Sequence, residues 1–194
     1  MTRTEIKIAG YGGQGVITLG KMIAAAAILH QEGTTATQTE AYGAQSRGGS
    51  CWSAVVISDE ETIDYPQVVI PVDILIVLSE EAAKNFKNDV KPDGIAIFDP
   101  FTVKAKKFKV KAKTYEVPAN QIATEELKMP VIQNTVMFGA FVGITESITE
   151  AAGRNCVQNF VPEKFLDINL RAYERGLEIG KKLKAAAAQP ESSP

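Results

Sequence analysis

Two glycine-rich segments limit what this chain can fold into: Gly10-Tyr11-Gly12-Gly13-Gln14-Gly15 and, about thirty residues later, Tyr42-Gly43-Ala44-Gln45-Ser46-Arg47-Gly48-Gly49. Ile6 to Ala9 reads as a short apolar strand, and Val16, Leu19, Ile23 and Ala26 recur at helical spacing. The first glycines therefore sit where a strand turns into a helix. Glycine accepts positive φ and close approach of a ligand, and the first N–H groups of a helix lack intrahelical partners, so such a turn is a natural anion site. The spacing also satisfies G-x-G-x-x-G, the dinucleotide fingerprint, which calls for an acid about twenty residues further on to hold a ribose. The candidates are Glu32, expected just before the second strand, and Glu40, just after it; neither is well placed. A bound dinucleotide, another phosphate or subunit contact, and a tight turn with no ligand all fit this loop.

Gly33 reads as a helix stop and the β-branched Thr34 to Thr39 as a second strand. In the second loop Arg47 lies between glycines, where its guanidinium is free for bidentate bonds to phosphate or carboxylate; the plainer alternative is a solvated surface arginine. Cys51 to Ser58 is a third strand. The short acidic turn Asp59-Glu60-Glu61 before Thr62 to Tyr65 predicts an antiparallel pair and hence a mixed sheet. Ile74 to Leu78, apolar throughout, predicts a central strand covered on both faces. Ser79 and Glu80 then start a helix running to about Asn88, and the turn Lys91-Pro92-Asp93-Gly94 leads into a strand at Ile95 to Phe98. Two strand–helix–strand units predict an α/β fold: one doubly wound, Rossmann-like domain with a mixed, mainly parallel sheet, spanning residues 1–184, with 185–194 a frayed tail.

Between Lys104 and Lys113 lysines alternate with Phe108, Val110 and Ala112. This period of two predicts an edge strand that uses charge against sheet-to-sheet pairing; the alternative is a docking surface for an acidic partner or a polyphosphate. Asn120 to Lys128 reads as a short helix. Val131 to Ile144 reads as a buried one, where Gly139 and Gly143 let a neighbour approach, inside the domain or from another subunit. Ser147-Ile148-Thr149-Glu150 matches a capping box. Phe165, Ile168, Ala172, Gly176, Ile179 and Leu183 form the apolar stripe of a charged C-terminal helix on which Glu178 pairs with Lys182.

A net charge of −2 provides no general basic surface for nucleic acid. Two cysteines, Cys51 and Cys156, and one histidine, His30, are too few for a haem, zinc or iron–sulfur centre built from this chain alone. The cysteines read as buried small hydrophobes, with a mutual disulfide as the alternative. His30, expected at the end of the first helix, suits the helix dipole, and no nucleophile–base–acid set emerges; no catalytic residue and no metal ligand is expected. No secretory signal and no membrane-spanning run is read, so the expected location is the cytoplasm.

Taken together, the two loops resemble those of the gamma subunit of 2-oxoacid:ferredoxin oxidoreductases. Gly10 to Val16 resembles that family's opening loop, and Tyr42 to Gly49 followed by the Cys51 to Ile57 strand resembles its second signature. The Pro71-Val72-Asp73 lead into the central strand and the Asn134-Thr135 to Gly139 segment also match, so the resemblance spans nearly the whole chain. It implies a subunit that binds no cofactor alone and assembles with alpha-, beta- and delta-type subunits. The complex would use thiamine diphosphate, Mg, iron–sulfur clusters and coenzyme A to convert a 2-oxoacid into acyl-CoA, passing electrons to ferredoxin; in isolation the chain could form a homodimer. Pyruvate, 2-oxoglutarate, branched-chain oxoacids and indolepyruvate are the candidate substrates. The implied binding residues, at a subunit junction near the coenzyme A path, are Gly12, Gly13, Gln14, Gly15, Tyr42, Gly43, Ser46, Arg47, Gly48, Gly49 and Asn134. The rival readings are a stand-alone dinucleotide-binding protein of Rossmann type and an interaction scaffold without a ligand.

Overall fold

In the computed structural model, which describes residues 2–42 and 50–188, the apolar runs assemble into one six-stranded sheet. The strands are β1 (Arg3–Tyr11), β2 (Thr35–Tyr42), β3 (Ser50–Ser58), β4 (Val72–Val77), β5 (Val90–Phe98) and β6 (Lys113–Glu116), in the order β2-β3-β1-β4-β5-β6. β1, β4, β5 and β6 pair in parallel, whereas β3 runs antiparallel to both β1 and β2. The sheet is therefore mixed, but not through the predicted turn. Thr62 to Tyr65 forms no strand, and the antiparallel partners of β3 are β1 and β2.

Helices cover both faces. α1 (Val16–His30), α4 (Gln133–Thr145), α5 (Glu150–Phe160) and α6 (Leu166–Ala186) pack against Ile6, Ile8, Val55, Ile74, Ile76 and Ile97. α2 (Glu80–Phe86) and the 99–112 connection cover Ala9, Leu75, Val77, Ala96 and Phe98 on the other side. On that second face the buried Lys7 ammonium bonds Asp89 at 2.6 Å and sits 4.0 Å from the Phe86 ring centroid, so the charge is paired and faces an aromatic π surface. A short α3 (Ala119–Gln121) continues as a π turn over Ile122–Glu126, which fills the helix expected at Asn120 to Lys128.

Other expectations need adjustment. The predicted Lys91–Gly94 turn is a bulge inside β5, and a Cβ on Gly94 would lie 2.6 Å from the Asp73 carbonyl oxygen. Lys104 to Lys111 forms turns and coil; the edge strand on that side is the short β6, which begins at Lys113. Phe108 and Ala112 are buried there because they pack into the α2-side core, where Phe98 and Phe108 meet edge to face at 5.4 Å. Burial of alternate residues by a loop therefore imitates strand periodicity. The C-terminal helix continues to Ala186, and residues 189–194 lie outside the described ones.

α4 is buried at every position from Thr135 to Ile144, because α6 crosses it along a glycine seam. A Cβ on Gly139 would overlap the Tyr173 carbonyl, one on Gly176 the Val136 carbonyl and one on Gly180 the Ala140 carbonyl. The atoms in the way are backbone and cannot swing aside. Gly176→Ala should therefore destabilise the chain by about 1–3 kcal/mol, although alanine is the better helix former by ~1 kcal/mol. Urea unfolding reads the difference; an unchanged or higher midpoint contradicts this account of the seam.

Candidate functional site

β1 feeds α1 on one face of the sheet and the neighbouring β4 feeds α2 on the other, so the winding direction reverses between these two strands. In open α/β sheets the crevice beyond the strand ends at this switch point is the usual ligand site. Here the side chain of Gln14 closes it. Its Oε1 accepts from the Tyr11 N–H at 2.7 Å and its Nε2 donates to the Leu78 carbonyl at 2.6 Å, tying the end of β1 to the end of β4. The loop is tight around this amide. A Cβ on Gly10 would come within 2.6 Å of Gln14 Oε1 and 2.9 Å of Val16 Cγ2, and Gly13 and Gly15 take φ of 100° and 75°, which favours glycine.

The placement of the acids separates this loop from a dinucleotide fingerprint. Because β3 is inserted between β1 and β2, β2 lies two strand spacings, roughly 10 Å, from β1. Glu40 is inside β2, not after it, and faces Lys21 of α1 at 3.8 Å. Glu32 follows the C-terminus of α1, so it lies a helix length of roughly 20 Å from the glycines.

Beside the closed crevice a cleft of about 610 Å³ opens toward α1. Gly12, Gly13, Gly15, the first turn of α1, Tyr42 and Asn134 line it, so among the described residues the fold brings together the sequence-predicted site residues apart from Gln14, whose amide is spent inside the loop. Asn134, in the first turn of α4, packs directly on Gly15: a Cβ there would be 2.9 Å from that of Asn134. Two helix N-termini thus meet at one wall of the cleft. Next to Asn134, Thr135 donates to Asn169 Oδ1 at 2.8 Å, and Asn169 donates to the Phe165 carbonyl at 2.9 Å, which fixes the opposite wall. Gly43, Ser46, Arg47, Gly48 and Gly49 lie outside the described residues; the flanking Tyr42 and Cys51 pair at the end of the β2–β3 ladder and both line the cleft.

Sequence reading missed the apolar rim. Val131 is 77% exposed, and Phe160 and Phe165 are partly exposed where α5 passes to α6. The signal was there: Phe160-Val161-Pro162 is an apolar link between two helices, where polar residues are the norm. Also missed was Tyr11, whose hydroxyl donates to Glu81 Oε2 at 2.7 Å; that bond, with some desolvation and the neighbouring carboxylates, raises the phenol above its ordinary pKa. Asp99, at the end of β5, is buried, and burial raises its carboxyl. Its oxygens accept from the N–H groups of Phe101 (2.9 Å) and Asn120 (2.6 Å), so it caps the following turn and α3. His30 ends α1. Among the described residues no three His, Cys, Asp or Glu groups converge as metal ligands, and no helix is long and apolar enough to cross a membrane.

The pyruvate ferredoxin/flavodoxin oxidoreductase family model matches residues 5–179. The chain belongs to that family. It is 38% identical to the 2-oxoglutarate synthase subunit KorC of Methanocaldococcus jannaschii over 93% of this chain and 96% of that one. It is 35% identical to the ketoisovalerate oxidoreductase subunit VorA of Methanothermobacter marburgensis, of whose greater length it covers 37%. Among solved structures, the gamma subunit of the keto/oxoacid ferredoxin oxidoreductase from Geobacter sulfurreducens superposes with a TM-score of 0.81 at 30% identity, over 94% of this chain and 99% of that one. The fold is thus that of a gamma subunit of this family, as the two loops imply.

Both cysteines are free, which removes the disulfide alternative. Cys156 is buried with its Sγ 3.3 Å from the Met22 carbonyl, and burial pushes its pKa up to about 12. Two outcomes follow. Iodoacetamide should leave Cys156 unmodified in the native chain and label both thiols after unfolding; two thiols still blocked in denaturant contradict the assignment. Gln14→Ala leaves the Tyr11 N–H and the Leu78 carbonyl without their partner, a loss of about 1–3 kcal/mol, and should speed hydrogen exchange at the Tyr11 amide; unchanged exchange there contradicts the bridge.

Proposed function

We propose that this chain is the gamma subunit of a complex that oxidatively decarboxylates a 2-oxoacid to the acyl-CoA with electrons passing to ferredoxin, and that its cleft lies on the coenzyme A path at a subunit junction. The observation that carries the reading is the near full-length similarity to KorC, combined with the gathering of the first glycine loop, Tyr42 and Asn134 around one cleft. In this reading the thiamine diphosphate, its Mg ion and the iron–sulfur clusters belong to alpha-, beta- and delta-type partners. The reading fits the donor supply of the sequence, whose two cysteines and one histidine are too few to hold an iron–sulfur cluster without a partner chain. Location in the cytoplasm goes with this reading.

The chain's own part is binding and orientation. The first turn of α1 presents N–H groups toward a phosphate, and Val131, Phe160 and Phe165 offer apolar surface to a flexible thioester arm or to a partner chain. Arg47 supplies the positive charge for the phosphates. Identity to KorC, at 38%, favours 2-oxoglutarate among the substrates, with ketoisovalerate the competitor, since a VorA chain reaches 37%.

Anaerobic purification of the tagged chain from its native host should bring down a thiamine-diphosphate subunit and a cysteine-rich ferredoxin-like subunit. That complex should reduce ferredoxin faster with 2-oxoglutarate than with ketoisovalerate or pyruvate. Recovery of the chain alone contradicts the subunit reading, and a faster rate with another oxoacid moves the substrate. In the assembled complex Arg47→Ala should raise KM for coenzyme A with little change in kcat; an unchanged KM with intact assembly removes Arg47 from the path.

A further inference from the structure

Between Lys84 and Lys113 the chain carries nine lysines against three aspartates, a net charge of +6 inside a chain of net −2. The lysines at 104, 106, 107, 109 and 111 are all exposed, and the segment holding them is not a strand, so protection of a sheet edge does not explain them. Lys84 and Lys87, at the end of α2, face the same small hollow as Lys104 and Lys107; its floor is Ala83, Val103 and Phe108.

The lysines of the C-terminal helix are neutralised locally. On α6, Lys181, Lys182 and Lys184 each hold a carboxylate at 2.6 Å: Glu150, Glu178 and Glu146. On the lysine face a single carboxylate, Glu80, is shared at long range by Lys104 (4.0 Å) and Lys107 (3.8 Å). Among the described residues no carboxylate pairs with Lys84, Lys87, Lys106, Lys109 or Lys111. Such a concentration of like charge repels itself and lowers the stability of the fold, while it attracts an oppositely charged partner from a distance.

We infer that this face is a docking surface for a carboxylate-rich region of a protein partner, with Glu80 occupying the position that a partner's carboxylate takes over. The geometry favours a protein over a small polyphosphate. The hollow between α2 and the loop measures about 190 Å³, less than a nucleotide-sized ligand fills. It contains no arginine fork, and the Ala82 N–H at the start of α2 is already taken by Ser79 Oγ at 3.1 Å. Flexible point charges spread over a helix end and an eight-residue loop suit a diffuse acidic surface, where charge sets the encounter rate and its salt dependence.

The test uses the full chain and a fluorescent glutamate-rich peptide, read by anisotropy. At low salt the peptide should bind, and binding should weaken steeply as physiological ionic strength shortens the Debye length to about 8 Å. The quadruple variant Lys104→Gln, Lys106→Gln, Lys107→Gln, Lys109→Gln should lose affinity about tenfold or more, with its circular dichroism unchanged and its Tm equal or higher, since like charge has been removed. Glu80→Gln should tighten binding, because it removes the internal competitor. Substitution of Lys181, Lys182 and Lys184 by Gln should leave it unchanged. Absence of peptide binding, equal loss in the α6 variant, or tighter binding of inorganic tripolyphosphate than of the peptide would each overturn the inference.

Discussion

The carboxamide of Gln14 holds the point on which this fold turns. β1 and β4 are parallel neighbours that send their helices to opposite faces, so their ends diverge just where the sheet is most buried. One amide, accepting from Tyr11 and donating to Leu78, supplies both the backbone partners that this divergence leaves without a ladder. The glycines follow from it. Gly10 makes room for the amide itself, and Gly13 and Gly15 take the left-handed conformations that return the chain into α1. A loop that fits the dinucleotide spacing is thus a closed junction whose free surface lies on the α1 side.

This closure moves the candidate site away from the crevice and toward the helices. The cleft exists because Gly15 allows Asn134 and the start of α4 to reach the start of α1, and because the glycine seam lets α6 lie close on α4 and bring Phe165 and Asn169 to the opposite wall. Much of its rim is apolar and exposed, which is what a surface covered in an assembly looks like. The lysine face lies beyond Glu80 and Glu81 of α2; Glu81 carries the hydroxyl bond from Tyr11, whose residue also lines the cleft.

Elements whose burial pattern is local were legible in the sequence. The apolar run at β4, the helical spacing after Gly15 and the buried helix with Gly139 and Gly143 read directly. The start of α5 lies two residues later than the capping box at Ser147 to Glu150 predicts: the cap is Thr149, whose hydroxyl accepts from the Ala152 N–H, and Glu150 is the first helical residue. What stayed hidden depends on contacts distant in sequence. Nothing near Cys51 to Ser58 says that this strand inserts between β1 and β2, yet that insertion makes the sheet mixed and separates Glu40 from the glycine loop. The alternation at Lys104 to Lys113 misled because a loop packed on one side buries every second residue as a strand does. Of the site, the glycines and Asn134 were legible through the resemblance, whereas the function of Gln14 required the partner strand to be in place.

Titration of the isolated full-length chain with NAD, NADP and FAD, followed by calorimetry, tests most directly whether the switch-point crevice is closed. The Gln14 bridge and the inserted β3 predict no saturable binding of any of the three. Stoichiometric binding of one of them, lost when Gly12 or Gly13 is replaced, would contradict the account and return the first loop to the dinucleotide-binding class.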